Sequence, residues 1–378
     1  MSKGRRNQSA SDDDDDLFII RLDPKFPLED VEAIGARLTA SGALVPAYVP
    51  PNDGLLSIVA FRLNQDIYRS ETRLLPDRNL VSRMARLARD GAEQPLAGPT
   101  AIAADLMAFA QAMNLLIEPS IAFHELAHRD GNAIALEELS WFRAADHGQA
   151  MAWIDLAQGR VGRLPIAIPK PQAERDLAYP LNRWRRNYVV ALKIAGLELS
   201  SSTPVERALM LFRWMADDFF VAGPAAIFAT MYFAPLAARR RLIKQLRSPD
   251  RARAIAGIRN AAWDITHLSN LVAERKRSEK ENIFFIFATA DRGLAEIAPV
   301  LMIDADGDAC APELARSLSA WWPAPDALCL AETLFGYIRR ARNRRADAPA
   351  FSNDRLQMLI DSGEAYVRAW SGDMKSGP

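Results

Sequence analysis

Four acidic residues have types and positions that suit metal-dependent chemistry: Asp77, Glu125, Asp264 and Asp291. Asp77 and Asp291 each follow an apolar segment typical of a buried strand. Because ligands of open α/β sheets bind beyond the carboxyl ends of the strands, we expect both side chains to face one crevice. Glu125 is expected on a helix opened by Pro119-Ser120, and Asp264 on the long helix that precedes the second strand.

Carboxylates gathered in one crevice cannot all stay ionised unless a cation neutralises them. Their oxygens are hard ligands of the kind that Mg²⁺ and Mn²⁺ prefer. Such ions clamp phosphate oxygens and activate water for in-line attack. The four residues therefore indicate a metal site suited to phosphate chemistry. Each carboxylate taken alone has a simpler explanation, because acidic residues commonly cap helices, and Asp77 is placed to cap a helix that begins near Leu80.

The segments around these residues resemble PIN-like nucleases. Leu74-Leu75-Pro76-Asp77-Arg78-Asn79 resembles the opening Asp-x-Asn motif of that family. The stretch from Ser120 to Leu126 is similar to its Ser/Thr turn and the helix that carries an acidic residue. Ala262-Trp263-Asp264 and Phe287-Ala288-Thr289-Ala290-Asp291 resemble its later acidic pair, including the Thr-x-Asp that ends a strand.

This resemblance implies a parallel sheet flanked by helices and metal-dependent hydrolysis of phosphodiester bonds, usually in RNA. Asp77, Glu125, Asp264 and Asp291 would be the catalytic and metal-binding set, with Asp77 and Asp291 anchoring the ion. Asn79 and Thr289 would orient ligands or water. The resemblance also implies an inhibitory partner protein and a toxin–antitoxin or phage-defence setting.

A second motif competes for the same glutamate. His124-Glu125-Leu126-Ala127-His128 is a His-Glu-x-x-His sequence, which on a helix places two imidazoles on one face for Zn²⁺ and a glutamate to activate water. Charged residues follow the second histidine at once, and Ile134 stands where a metzincin has its third histidine. A zinc metalloprotease is therefore the alternative function.

Arg183-Trp184-Arg185-Arg186 interleaves cations with an aromatic ring, a pattern that suits contacts to phosphates and stacking on bases. A solvated helix face explains the same residues equally well. The segment becomes a nucleic-acid contact only where the fold places it beside the carboxylates.

The composition excludes several classes of protein. The 378 residues hold 47 basic and 47 acidic side chains, so the chain lacks the basic excess of a protein that coats nucleic acid indiscriminately. Hydrophobic residues make up 49%, which predicts a sizeable core. Two cysteines, Cys310 and Cys329, cannot build a disulfide framework, and the polar N-terminus predicts a cytoplasmic protein. Proline and glycine interrupt the uncharged segment Phe219–Ala238, so we expect a buried helix and no membrane partner.

The pattern along the chain predicts an α/β protein. We expect a disordered acidic tail at residues 1–16 and a small N-terminal α/β unit at 17–70. A PIN-like catalytic region follows at 71–305 with a helical insertion at about 160–250, and then a helical segment at 306–378. The predicted strands include 17–22, 43–49, 55–63 and 283–289. Because the strands are few and separated by helical stretches, we expect a parallel sheet with helices on both faces.

Overall fold

The structure, a computed structural model, describes residues 22–171, 175–237, 242–303, 309–344 and 352–371. The predicted acidic tail and all but the last residue of the predicted strand at 17–22 lie outside these ranges. The described residues form fifteen helices and a small sheet of four strands. The chain is thus an α/β protein in which helices predominate.

The elements follow one another along the chain in a fixed order. They are α1 (Leu28–Ser41), β1 (Leu44–Pro46), α2 (Ile58–Asp66), β2 (Glu71–Pro76), α3 (Arg78–Asp90), α4 (Gly98–Ala112), β3 (Leu116–Ile117), α5 (Ser120–Asp130), α6 (Asn132–Asp146), α7 (Ala150–Ala157), α8 (Asn182–Glu198), α9 (Pro204–Asp217), α10 (Gly223–Phe233), α11 (Arg251–Glu281), β4 (Ile283–Ala288), α12 (Arg292–Val300), α13 (Cys310–Leu318), α14 (Ala324–Arg344) and α15 (Asn353–Ala369).

The sheet has the strand order β1-β4-β2-β3 and is mixed. β2 runs parallel to β3 and to β4, as predicted, but β1 pairs antiparallel with β4, so the prediction of a wholly parallel sheet is wrong at that edge. The Ala47 amide donates to the carbonyl of Phe285, which extends the ladder beyond β1. The predicted N-terminal unit therefore contributes a strand to the same sheet as the region that follows it.

The predicted strand at 55–63 is wrong, because this stretch forms α2. The Ser57 side chain caps the helix by accepting a hydrogen bond from the Ala60 amide. Ile58 and Phe61 are both buried, and their spacing of three places them on one face of a helix but on opposite faces of a strand. The stretch is apolar, as predicted, but its buried residues recur with the period of a helix and not of a strand.

The sheet separates two hydrophobic cores. On one face Leu74, Ile286 and Ala288 join a core built by the helices of the first half of the chain. On the other face Leu75 and Phe287 join the core of the later helices. Both faces of β4 are therefore covered, which explains its almost uninterrupted apolar sequence.

The second core combines two segments that the sequence separates. Helices α8, α9 and α10, from the predicted insertion, pack with α14 and α15 from the C-terminal segment. Helix α10 has buried residues on all sides, as expected for a core helix. Within the described residues, no helix combines the length and apolar character needed to cross a membrane.

Candidate active site at the carboxyl edge of the sheet

Asp77 lies where β2 ends beside β4. The parallel register pairs Pro76 with Ala288, and the Asp77 amide donates to the carbonyl of Ala288 at 2.8 Å. Asp77 caps α3, since its Oδ1 accepts from the Leu80 amide at 2.9 Å. Its Oδ2 accepts from the Thr289 hydroxyl at 2.6 Å, so both carboxylate oxygens are held in place.

Asp291 follows the neighbouring strand in the same way. It caps α12, with Oδ1 accepting from the amides of Gly293 and Leu294. The Asp291 amide donates to the Thr289 hydroxyl at 3.0 Å. Thr289 therefore links the two strand ends through one hydroxyl, which donates to Asp77 and accepts from Asp291. The Oδ2 atom of Asp291 makes no hydrogen bond within the described part of the chain.

Glu125 reaches the same edge from β3. The Glu118 amide donates to the carbonyl of Leu74 directly after β3, and α5 begins at Ser120. Glu125 lies in the second turn of α5 and is 8% exposed. Its Oε2 lies 3.3 Å from Nε2 of His267, which is also buried and is carried by α11.

Asp264 completes the group from α11, one turn before His267. Burial of the carboxyl raises its pKa well above the ordinary value, and the negative charges of Glu125, Asp291 and Asp77 raise it further, while Lys244 lowers it. The pKa of Asp77 is also raised by burial, against hydrogen bonds from Thr289 and Leu80 that lower it. The four carboxylates that the sequence singled out are therefore brought within electrostatic reach of one another.

A short segment between α10 and α11 brings Lys244 to this group. At Gly257, two turns of α11 before Asp264, an added Cβ would overlap the carbonyl oxygen of Lys244. At Gly293, an added Cβ would lie 2.7 Å from a methyl group of Leu242. The two glycines thus allow the segment to lie against both helices that carry acidic residues, and Lys244 itself is exposed.

The carboxylates share a region but not a ready ligand geometry. Among the residues that the structure describes, no group of three or more His, Cys, Asp or Glu side chains is arranged to hold a metal ion directly. In the same part of the chain, Glu125, Asp264 and Asp291 each keep one carboxylate oxygen without a hydrogen bond. The donor chemistry suits a hard cation, which would need water ligands in addition to the protein oxygens.

The two histidines of the His-Glu-x-x-His motif are engaged elsewhere. His124 Nδ1 donates to the carbonyl of Leu177 at 2.8 Å, and His128 Nε2 donates to that of Tyr179 at 3.1 Å. His128 is exposed and its ring stacks on Trp184. Both histidines therefore fasten the Leu177–Tyr179 segment to α5, and only Glu125 of the motif reaches the carboxylate group.

The basic segment at the start of α8 makes mostly internal contacts. Trp184 stacks on both His128 and Tyr188 and also contacts Trp263, so its ring is engaged within the chain. Arg183 donates to Asn270 and Arg185 to Asn353, while Arg186 lies over the ring of Phe220. These contacts favour a structural role for the segment over the predicted nucleic-acid contact.

Asn79 and Thr289 differ in their placement. Thr289 bonds to Asp77, as described above, whereas Asn79 is exposed on the first turn of α3. Its side chain makes no hydrogen bond within the described residues. Nothing in the structure therefore ties Asn79 to the carboxylates.

Sequence reasoning missed His267 and Lys244. The spacing of Asp264 and His267, three residues apart on a long helix, was a usable signal, because such residues share a helix face. Lys244 carries no local signal, since only the close packing of its segment on Gly257 brings it to the site.

The geometry of the carboxylate group is the basis for a functional proposal. The sequence matches no protein-family model, and neither a curated protein nor a solved structure matches the chain. The arrangement described above, with acidic side chains at the ends of neighbouring parallel strands, is an anionic group that a cation or an added proton would stabilise.

Proposed function

We propose that the protein is a metal-dependent nuclease that hydrolyses phosphodiester bonds, with RNA as its substrate. The observation that carries the proposal is the placement of Asp77, Glu125 and Asp291 after three neighbouring parallel strands. Asp264 of α11 lies close enough to all three for their charges to raise its pKa. A fold keeps such mutually repelling groups together at a cost in stability, and groups of this kind concentrate at functional sites.

The donor set fits Mg²⁺ or Mn²⁺. Mg²⁺ usually keeps several water ligands and is bound by one or two carboxylates together with substrate phosphates, so it does not require three direct protein ligands. Glu125, Asp264 and Asp291 would hold the ion through their oxygens that are free of hydrogen bonds. A bound ion supplies an activated water and positive charge near the phosphate.

The chain's own residues orient this group. Thr289 fixes the Asp77 carboxylate by its hydroxyl, so Asp77 contributes charge at a set position. The contact between Glu125 Oε2 and His267 Nε2, at 3.3 Å, positions the Glu125 carboxylate within the group. Lys244 adds an exposed positive charge near Asp264, which would attract an anionic substrate.

The resemblance to PIN-like nucleases extends this proposal. In its support, Asp77, Glu125 and Asp291 each follow one of three parallel strands at the same edge. The antiparallel β1 and the two-residue β3 depart from a wholly parallel sheet. An inhibitory partner protein and a toxin or phage-defence role remain predictions from the resemblance. Cys310 and Cys329 are both free, which agrees with a cytoplasmic location.

The test is cleavage of single-stranded RNA and DNA by the full chain with Mg²⁺, Mn²⁺ or Zn²⁺ or with a chelator. We expect cleavage to require Mg²⁺ or Mn²⁺ and to fall by roughly a hundredfold or more in Asp291→Asn, because several kcal/mol of charge stabilisation depend on the ion. Asp53→Asn, which removes the same charge from an exposed loop, is the matched control. Cleavage that persists in Asp291→Asn, or that needs no divalent ion, contradicts the proposal.

A further inference from the structure

The solvent face of α3 is basic and starts at the candidate site. The helix follows the capping residue Asp77, and its exposed or half-exposed positions include Ser82, Arg83, Arg86 and Arg89. The spacings of three and four residues place these side chains along one face. The proposed function does not use this face, which leads away from the carboxylates towards the C-terminal end of the helix.

This face borders a hollow between α3 and α6, which we call the groove. On the α3 side the groove is lined by Ser82, Arg86 and Arg89, which recur every three or four residues. On the α6 side it is lined by Glu138 and by the half-buried ring of Trp141. The groove therefore combines guanidinium groups, a hydroxyl and the edge or face of an indole.

Two of the three acidic residues near the groove, Glu138 and Asp90, are paired with arginines. Glu138 accepts two hydrogen bonds from Arg78, at 2.6 and 3.0 Å, in a bidentate pair that also joins α6 to the start of α3. Asp90 accepts two from Arg89. Glu137 is near enough to act on Arg89 by its charge alone.

Two cations on this face have no hydrogen-bonded carboxylate, although the charge of Arg86 acts on Asp90. Within the described residues Arg86 makes neither a hydrogen bond nor an ion pair, and Arg83 donates only to the backbone carbonyl of Asn79. Both guanidinium groups are thus available to an anion that approaches from solvent. Phosphate is the anion that the planar guanidinium fork fits well.

We propose that the groove between α3 and α6 binds the backbone of single-stranded nucleic acid, with Arg83 and Arg86 at phosphates and Trp141 stacked on a base. Cations combined with an aromatic ring are the usual means of holding single strands without reading their sequence. Arg86 lies nine residues after Asp77, about 13 Å along the helix at 1.5 Å per residue. This is roughly four nucleotides at 3.4 Å per stacked base. The groove would thus hold the strand to one side of the bond cleaved under the proposed nuclease function, on which the inference rests.

Binding can be measured without cleavage. The full-length Asp291→Asn protein, in chelator, is titrated with a fluorescent single-stranded oligouridylate and its DNA counterpart at about 50 to 200 mM salt. We expect Arg86→Ala to weaken binding several-fold and to reduce the slope of log affinity against log salt by about 0.7, the value for one phosphate contact on a single strand. Arg86→Lys keeps the charge and should restore the slope.

Trp141→Ala tests the other half of the inference. Loss of one stacked base should weaken binding roughly tenfold without changing the salt slope, and Trp141→Phe should restore most of the affinity. Arg213→Ala, which removes an exposed arginine of α9, is the control and should change neither quantity. Thermal melting of every variant verifies that it is folded.

The outcomes separate this inference from the proposed function. If the protein cleaves RNA but Arg86→Ala and Trp141→Ala bind like the control variant, the groove is not the path of the strand and the nuclease proposal stands. If both variants weaken binding as expected but no divalent ion supports cleavage, the groove stands and the nuclease proposal fails. Absence of any oligonucleotide binding overturns the inference and leaves a protein partner as the occupant of the groove.

Discussion

Two acidic sites on neighbouring helices of the same core, α8 and α11, are built on opposite principles. Glu198, at the end of α8 and 2% exposed, accepts from Arg207 at 2.6 Å and from Arg247 at 3.2 Å. Asp264, on α11, faces three other carboxylates and only one lysine among the charges that act most strongly on it. One site balances its negative charge within the chain, and the other leaves most of it unbalanced.

The difference separates a structural from a functional explanation of a buried acid. A carboxylate that is paired with guanidinium groups needs nothing from solution, because the fold supplies its counter-charges. Carboxylates that repel one another lower the free energy of unfolding and are retained where an ion or a proton must bind. The comparison predicts that removing a charge has opposite effects on stability at the two sites.

Glu198→Gln should give the largest effect on stability. The change leaves Arg207, whose side chain is only 12% exposed, without its carboxylate, and we expect a loss of about 3 kcal/mol in the free energy of unfolding. Denaturant unfolding measures it. Glu332→Gln, at an exposed position of α14, is the control and should stay within about 0.5 kcal/mol of the parent protein. A neutral result at Glu198 would remove the contrast between the two sites.

Asp264→Asn should act in the opposite direction. With divalent ions chelated at neutral pH, we expect a gain of about 1 kcal/mol in unfolding free energy, because the amide relieves repulsion among the carboxylates. The pKa of Asp264 is higher in the folded than in the unfolded protein. Its carboxyl therefore lowers the free energy of unfolding of the parent protein only at pH values above the ordinary aspartate pKa.

The pH dependence of this gain follows from the same shift. The difference between parent and variant should be absent below the ordinary aspartate pKa, grow as the pH rises towards the raised folded pKa, and then stay constant. Denaturant unfolding over a pH series checks the sign. A variant that is less stable than the parent throughout would mean that Asp264 is a structural acid of the same kind as Glu198.

Lys244→Met tests how far the chain's own positive charge offsets the negative charge of the carboxylates. Loss of one exposed positive charge should tighten Mg²⁺ or Mn²⁺ binding about threefold, since the lysine competes electrostatically with the ion. Titration calorimetry measures the affinity. Lys25→Met removes an equal charge from an exposed position before α1 and should leave binding unchanged.

His128→Gln should have the smallest effect. Because its ring nitrogen already donates to the carbonyl of Tyr179, we expect neither divalent-dependent cleavage nor metal content to change. A zinc metalloprotease would instead lose bound zinc and peptide hydrolysis in this variant while Asp291→Asn retained both. That pair of results would move the functional site from the sheet edge to the His-Glu-x-x-His motif.

The sequence made Asp77 and Asp291 predictable because strand ends carry a local signal, an apolar run followed by a capping acid. The capping explanation and the site explanation both describe Asp77, since one oxygen caps α3 and the other accepts from Thr289. Asp264 lies near the other carboxylates because of the way α11 packs at the sheet edge. The order of the motifs indicated this proximity, but no local sequence pattern determined it.

Other features depended on long-range packing and could not be predicted. The strand direction of β1 is set by its partner β4, more than two hundred residues later in the chain. The engagement of His124 and His128 depends on the irregular segment around Leu177, whose sequence has no periodicity. Lys244 reaches the site only because Gly257 has no side chain.

The pairing of β1 with β4 has a consequence for any attempt to shorten the chain. β4 reads Ile-Phe-Phe-Ile-Phe-Ala, and β1 covers the C-terminal half of the edge that β2 leaves open. A fragment that began at residue 71 would present this apolar strand with unpaired amides and carbonyls, an arrangement that templates aggregation. β1 thus protects the protein from self-association through β4, and a fragment that begins at residue 71 would need a charged or proline residue in β4 to remain dispersed.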